Sequence, residues 1–98
     1  MECKRWVVEC TCRADSWELV VKEFMDLYLF CEVSVYPEDD TVVVRSNELS
    51  YHPTEDNTKV SADFDIFLDA IRNYANYGWP DNDPVRIIER DYSMFDLK

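Results

Sequence analysis

Carboxylates, four cysteines and one histidine are the side chains of this sequence with chemistry to offer, and their spacing decides which chemistries stay open. Cys10-Thr11-Cys12 is a CxC inside an alternating stretch, whereas structural zinc sites use CxxC-type knuckles in loops. At strand spacing the two thiols share one face. With Cys3 and Cys31 they read as small reduced core residues, the common fate of free cysteine. A disulfide framework needs an oxidising compartment, and the opening MECKRWVVECTCR holds no long apolar segment that would direct export. His52 precedes Pro53, with Ser50 two residues away, but spacing alone identifies no nucleophile, base and orienting group. General-acid work needs a carboxyl of raised pKa in an apolar pocket, and clustered surface acids make none. No catalytic residue is assigned and no enzyme is expected.

Metal and cofactor chemistry fares no better. Asp81-Asn82-Asp83 starts like an EF-hand calcium loop. Pro84 then follows, no glycine stands at the sixth position, and Tyr92 replaces the bidentate glutamate at the twelfth. The single glycine, Gly78, excludes a Gly-rich phosphate loop. No metal or cofactor is expected.

What the carboxylates supply instead is a field. Of a net charge of −11, residues 37–83 carry −8, from 11 acids against Arg45, Lys59 and Arg72. Such a field favours cationic partners and repels nucleic acid and anionic lipid. The acids come in groups: Glu38-Asp39-Asp40, Glu55-Asp56, Asp65 and Asp69 four apart with Arg72 three further on, and Asp81 with Asp83. Brought to one side, they would stand where phosphates stand on a nucleic acid and occupy a basic groove. The alternative is a solvated face that keeps the protein soluble. Charge alone rarely makes a tight complex, and Tyr74, Tyr77 and Trp79 crowd the region beside Asp81–Asp83. Tyr77 and Trp79 are the candidate anchors, since tyrosine and tryptophan are frequent energetic centres of interfaces. The plainer reading has Tyr74 and Trp79 finishing the core.

The elements that must position these groups follow from hydrophobic period. Trp6, Val8, Cys10 and Cys12 alternate along a first strand. Asp15, with Glu18 three residues on, is a capping-box spacing that opens a helix. Its core stripe is Trp17, Val20, Val21, Phe24, Leu27, Tyr28 and Cys31, which predicts about four turns. Glu32–Tyr36 and Thr41–Arg45 form a hairpin around Pro37-Glu38-Asp39-Asp40, and Leu49–His52 is an optional further strand. Ser61 is the expected N-cap of a second helix with Asp63 and Asp65 in its first turn. Phe64, Phe67, Leu68, Ile71 and Tyr74 or Ala75 make its core face, and Gly78 then Pro80 stop it. Val85–Asp91 is a last strand, and Tyr92–Lys98 a tail that packs through Met94 and Phe95.

These elements predict one α+β domain over residues 1–98. Two helices pack on one face of a four- or five-stranded, mostly antiparallel sheet in the order β-α-β-β-(β)-α-β, ferredoxin-like or a variant of it. A hydrophobic content of 47% is enough for one core. The chain is expected to be cytoplasmic, without a membrane or direct nucleic-acid role. Fold cannot decide function here. The expectation from charge is a small acidic protein that inhibits or masks a basic, nucleic-acid-handling protein. Phage counter-defence proteins of the anti-CRISPR or anti-restriction kind share that logic, as do immunity proteins that neutralise nuclease toxins. No stretch of this chain matches a motif of either class. A different expectation is a structural or ligand-sensing homodimer, joined through the sheet or the Met25–Leu29 side.

Overall fold

Residues 2–50, 52–54, 59–78 and 81–93 are described by the computed structural model. Along them run β1 (Glu2–Arg13), α1 (Trp17–Asp26), β2 (Cys31–Tyr36), β3 (Thr41–Ser46), α2 (Lys59–Ala75) and β4 (Val85–Ser93), with a 3-10 turn at Pro37–Asp39. The sheet order is β2-β3-β1-β4, and every neighbouring pair is antiparallel. This is the ferredoxin-like order: α1 carries the chain from β1 past a gap to β2, and β3 fills the gap.

Alternation on β1 decides which face the helices cover. Val8, Cys10 and Cys12 are fully buried with Val42 and Val44 of β3 beneath Val20 and Phe24 of α1 and Phe64, Phe67, Leu68, Ile71 and Ala75 of α2. Phe67 meets Phe24 and Phe64 edge to face, with centroids 5.0 and 5.7 Å away. The cysteines are small where α2 lies closest, and the Cys10 thiol approaches the Ile71 carbonyl at 3.8 Å. Burial and the Cys12 contact both raise the Cys10 pKa, the contact most of all, so this thiol stays protonated and is no nucleophile.

The first helix is shorter than its stripe suggests. It ends at Asp26, and Cys31, expected on its core face, is the first residue of β2. The stop is a Schellman motif: Leu29 N–H bonds Phe24 O at 3.0 Å and Tyr28 N–H bonds Met25 O at 2.9 Å. Leu29 and Phe24, the two ends of that motif, are both buried. Tyr28 takes the left-handed position, φ 59°, that glycine usually fills. Asp15 does not cap α1 either. Ser16 holds the cap position without a capping hydrogen bond, and its hydroxyl donates to Ala75 O at 3.1 Å, tying the start of α1 to the end of α2.

The second helix begins at Lys59, so Ser61 lies inside it and Asp63 and Asp65 fall beyond its first turn. Ala75, not Tyr74, takes the final core position, and Tyr74 is 40% exposed. Among the described residues the optional strand is one bridge, in which Leu49 and Trp6 exchange N–H···O bonds of 2.9 and 2.8 Å. The last strand extends to Ser93, while Met94 and Phe95 lie outside the described residues.

Between the Cys10–Val44 and Trp6–Leu49 pairs, the chain after β3 spends one residue more than β1 does, which is a bulge. A bulge breaks the ladder, and Val8 N–H would lose its partner. The buried Ser46 hydroxyl accepts that N–H at 2.9 Å and donates to Asn47 O at 2.8 Å. Ser46→Ala should therefore cost about 1–3 kcal/mol, the penalty for an unmet buried donor, in urea unfolding monitored by circular dichroism. Phe24→Ala should cost about 3–5 kcal/mol in the same assay, as a lost fully buried ring does. Equal costs for the two variants would contradict this division.

Candidate functional site

Strand direction gathers the loops. The hairpin tip between β2 and β3 closes against the end of β1, where Arg13 pairs with Thr41 and Ala14 N–H bonds Asp40 O at 3.2 Å. The turn before β4 reaches the same end, through Thr11 N–H to Pro84 O at 2.9 Å. The end of α2 joins them, with Arg13 Nε on Asn76 O at 2.9 Å. The antiparallel order thus sets three separate acidic segments side by side. Glu38, Asp39, Asp40, Asp81 and Asp83 are all exposed there, and so are Asp15 and Glu18 at the start of α1. Arg13 and Arg72 are the bases among them.

Those acids differ in their employment. Arg72 Nε meets Asp83 Oδ1 at 3.0 Å and its Nη1 meets Asp69 Oδ1 at 3.2 Å, linking α2 to the turn before β4. Asp83 Oδ1 also accepts Val85 N–H at 2.9 Å. Partial burial acts to raise the Asp83 pKa. Its bonds from Arg72 and Val85 outweigh that, so the carboxyl is held below its ordinary range. A carboxylate committed to these two donors is poorly placed as a calcium ligand, and no cluster of metal-ligating side chains occurs among the described residues.

Beside this end stand Tyr74 and Tyr77, 40% and 39% exposed. Of the other expected partner-binding residues, Asp69 joins the end through Arg72, and Asp65 lies exposed one helical turn away from it along α2. Glu55, Asp56 and Trp79 lie outside the described residues. His52 makes a local contact: Nδ1 accepts Thr54 N–H at 3.2 Å, and its ring meets Trp6 edge-on at 5.7 Å.

One charged feature escaped the sequence reading. On the sheet face turned away from the helices, Glu9 is 8% exposed. Arg45 holds it with Nε and Nη2 at 2.9 and 2.7 Å from Oε2, and Arg86 Nη1 stands 3.9 Å from Oε1. The hydrogen bond to Glu9 leads the causes that raise the Arg45 pKa, so the guanidinium is held charged. Register sets Glu9 opposite Arg45 on one side and Arg86 on the other. The signal was present, since Glu9 sits at an odd position of β1, but it is visible only once the neighbouring strands are aligned.

No family model, curated protein or solved structure matches this chain. Its geometry must speak for it. No helix among the described residues is long and apolar enough to cross a membrane.

The Asp83 arrangement gives a signed pH dependence. A carboxyl with a depressed folded pKa adds stability above its unfolded value, near pH 4, and loses it as pH falls through the lower folded value. The Asp83→Asn protein should be less stable than the parent at pH 7, by under about 1 kcal/mol because the side chain is 44% exposed. Urea midpoints of the two proteins should converge as pH falls below about 4. A gap that stays constant to pH 2 would remove the Arg72–Asp83 bond as its cause.

Proposed function

We propose that this chain is a small acidic binding protein that covers a cationic surface of another protein with the loop end of its sheet. The observation that carries the reading is convergence. Acids from α1, the hairpin tip and the turn before β4 lie side by side, next to two half-exposed tyrosines. A carboxylate row of that kind speeds encounter with a basic target, and the tyrosines offer desolvated contact area. A basic surface built for nucleic acid is the chemistry such a row fits best, because phosphate contacts are electrostatic and need no base code. The target is then a nucleic-acid-handling protein, and the outcome of binding is inhibition by occupancy. Counter-defence against host nucleases and neutralisation of a nuclease toxin are two settings in which that mechanism serves.

Screening makes the reading testable. The Debye length is about 8 Å at physiological salt, so exposed pairs lose strength quickly as salt rises. Affinity capture from the native host at low salt, with mass spectrometry, identifies the target, and calorimetry then measures the complex. Affinity should fall at least tenfold as salt is raised severalfold, and E38K/D39K/D40K should weaken binding at least tenfold at fixed salt. Reversal of Lys4, near the other end of β1, should leave it unchanged. A complex indifferent to both salt and the triple reversal sinks the proposal.

A further inference from the structure

The two edges of the sheet are guarded differently. β4, at one edge, carries the exposed charges Arg86 and Glu89, of the kind that usually deter edge-to-edge pairing. β2, at the other, reads Cys31-Glu32-Val33-Ser34-Val35-Tyr36 and holds a single charge. Its free backbone can be assigned. Asn47 N–H donates to Phe30 O at 2.8 Å, so the 30/47 pair is a hydrogen-bonded rung. Alternation along the register then turns Glu32, Ser34 and Tyr36 toward β3 and leaves the N–H and C=O groups of Cys31, Val33 and Val35 facing outward.

Apolar side chains collect at that same edge. Val33 and Val35 point to the helix side of the sheet, opposite Val44 and Val42, yet are 39% and 60% exposed. Beyond them Met25, Tyr28 and Phe30 are 64%, 92% and 83% exposed, around a groove of ≈ 460 Å³ that Leu29 and Cys31 also line. Tyr28 keeps a left-handed backbone that glycine would hold without strain. A strained residue presenting a nearly bare aromatic ring points to use of that ring.

We infer that β2 is the dimerisation edge and that its occupant is β2 of a second copy, giving one continuous eight-stranded antiparallel sheet. A two-fold axis normal to the sheet keeps the helices of both copies on one face. With the axis at Val33, Val33 faces its own copy and Cys31 faces the second copy's Val35, each rung exchanging two N–H···O bonds. Glu32 then faces Ser34 and Phe30 faces Tyr36, so no like charges oppose one another. Moving the axis to Ser34 would bring in Pro37, which has no N–H to give. Two copies of this acidic chain repel each other, but the geometry keeps that cost low. Antiparallel pairing at β2 sends the two acidic loop ends to opposite extremes of the dimer, which limits repulsion between two chains of −11. Tyr28 and Phe30 offer on the order of 300 Å² between them. Met25, the valines and the strand backbone add to this toward the roughly 800 Å² that each partner of a standard interface buries.

This surface is distinct from the acidic end, so the two readings fail separately. Sedimentation equilibrium at about 100 µM, where an interface of modest affinity is populated, should give twice the chain mass of 11.7 kDa. Val33→Lys and Val33→Glu should each be folded by circular dichroism and monomeric. An equimolar mixture should restore a dimer holding one of each, seen by native mass spectrometry. Val35→Cys should form an interchain disulfide with Cys31, because Cα atoms of a hydrogen-bonded rung stand about 5.5 Å apart, within disulfide reach. Cys31→Ser in that background should abolish it. A wild-type protein that stays monomeric, a folded Val33→Lys protein that stays dimeric, or a Val35→Cys protein that does not cross-link would each overturn the assignment.

Discussion

β1, paired like β3 on both of its edges, must also be satisfied on both faces at once. Its even residues turn their backbone to β3 and their side chains to the helices. Its odd residues turn their backbone to β4 and their side chains to the open face. Val8, Cys10 and Cys12 must be small or slim because α2 crosses directly above them. Val7 and Glu9 are nearly as buried on the other face, although neither described helix covers it. A strand so enclosed tolerates no unmet backbone group. The bulge after β3 would create one at Val8, so the Ser46 hydroxyl becomes part of the ladder. The ion pair of Glu9 with Arg45 follows from the same enclosure, since a carboxylate with little solvent needs protein donors in place of water.

How much of this could be read from the chain follows from what each signal encodes. The two-layer fold was legible because period is a one-dimensional signal: Phe64, Phe67, Leu68, Ile71 and Ala75 can only be one face of a helix, and all five are buried. Ends were less legible. The apolar stripe of α1 runs on through Leu27 and Cys31, but it does not mark where helix yields to strand. The Schellman turn at Tyr28 gives no warning, because the usual glycine is absent. The optional strand failed for a related reason. Leu49–His52 has strand-like residues, yet among the described residues its pairing goes no further than the Leu49–Trp6 bridge. The Glu9–Arg45–Arg86 cluster depends on the register of three strands, which no local pattern holds.

The charge map is also a product of topology more than of composition. The chain is acidic throughout its middle, but the sheet separates signs by place: acids at the loop end, arginines around Glu9 on the open face. In a ferredoxin-like order the hairpin tip and the turn into the last strand must share an end with the first helix's start. Acids scattered in sequence at 15–18, 38–40 and 81–83 therefore become neighbours without any long-range signal in the chain. The placement concentrates field at one end, and screening over about 8 Å confines its reach to partners close to that end.

Not all of those acids are there for a partner. With one glycine in the sequence, positions needing positive φ must fall to residues that tolerate it, and asparagine and aspartate do so best. Asp40 closes the hairpin tip at φ 54° and Asn76 ends α2 at φ 49°. Asp40 thus has a conformational reason to be aspartate or asparagine. Asp83 has a bonding reason, because it orients Arg72 and receives Val85 N–H. Asp15, Glu18, Glu38, Asp39 and Asp81 have neither: among the described residues no side-chain hydrogen bond or ion pair uses their carboxylates. Left-handed turns can be made with asparagine at no net charge, so turn geometry accounts for the small polar side chain at position 40 and not for its charge. Like charges so placed repel one another and lower stability. Their accumulation where the fold does not require them is the strongest physical reason to look for a cation that does.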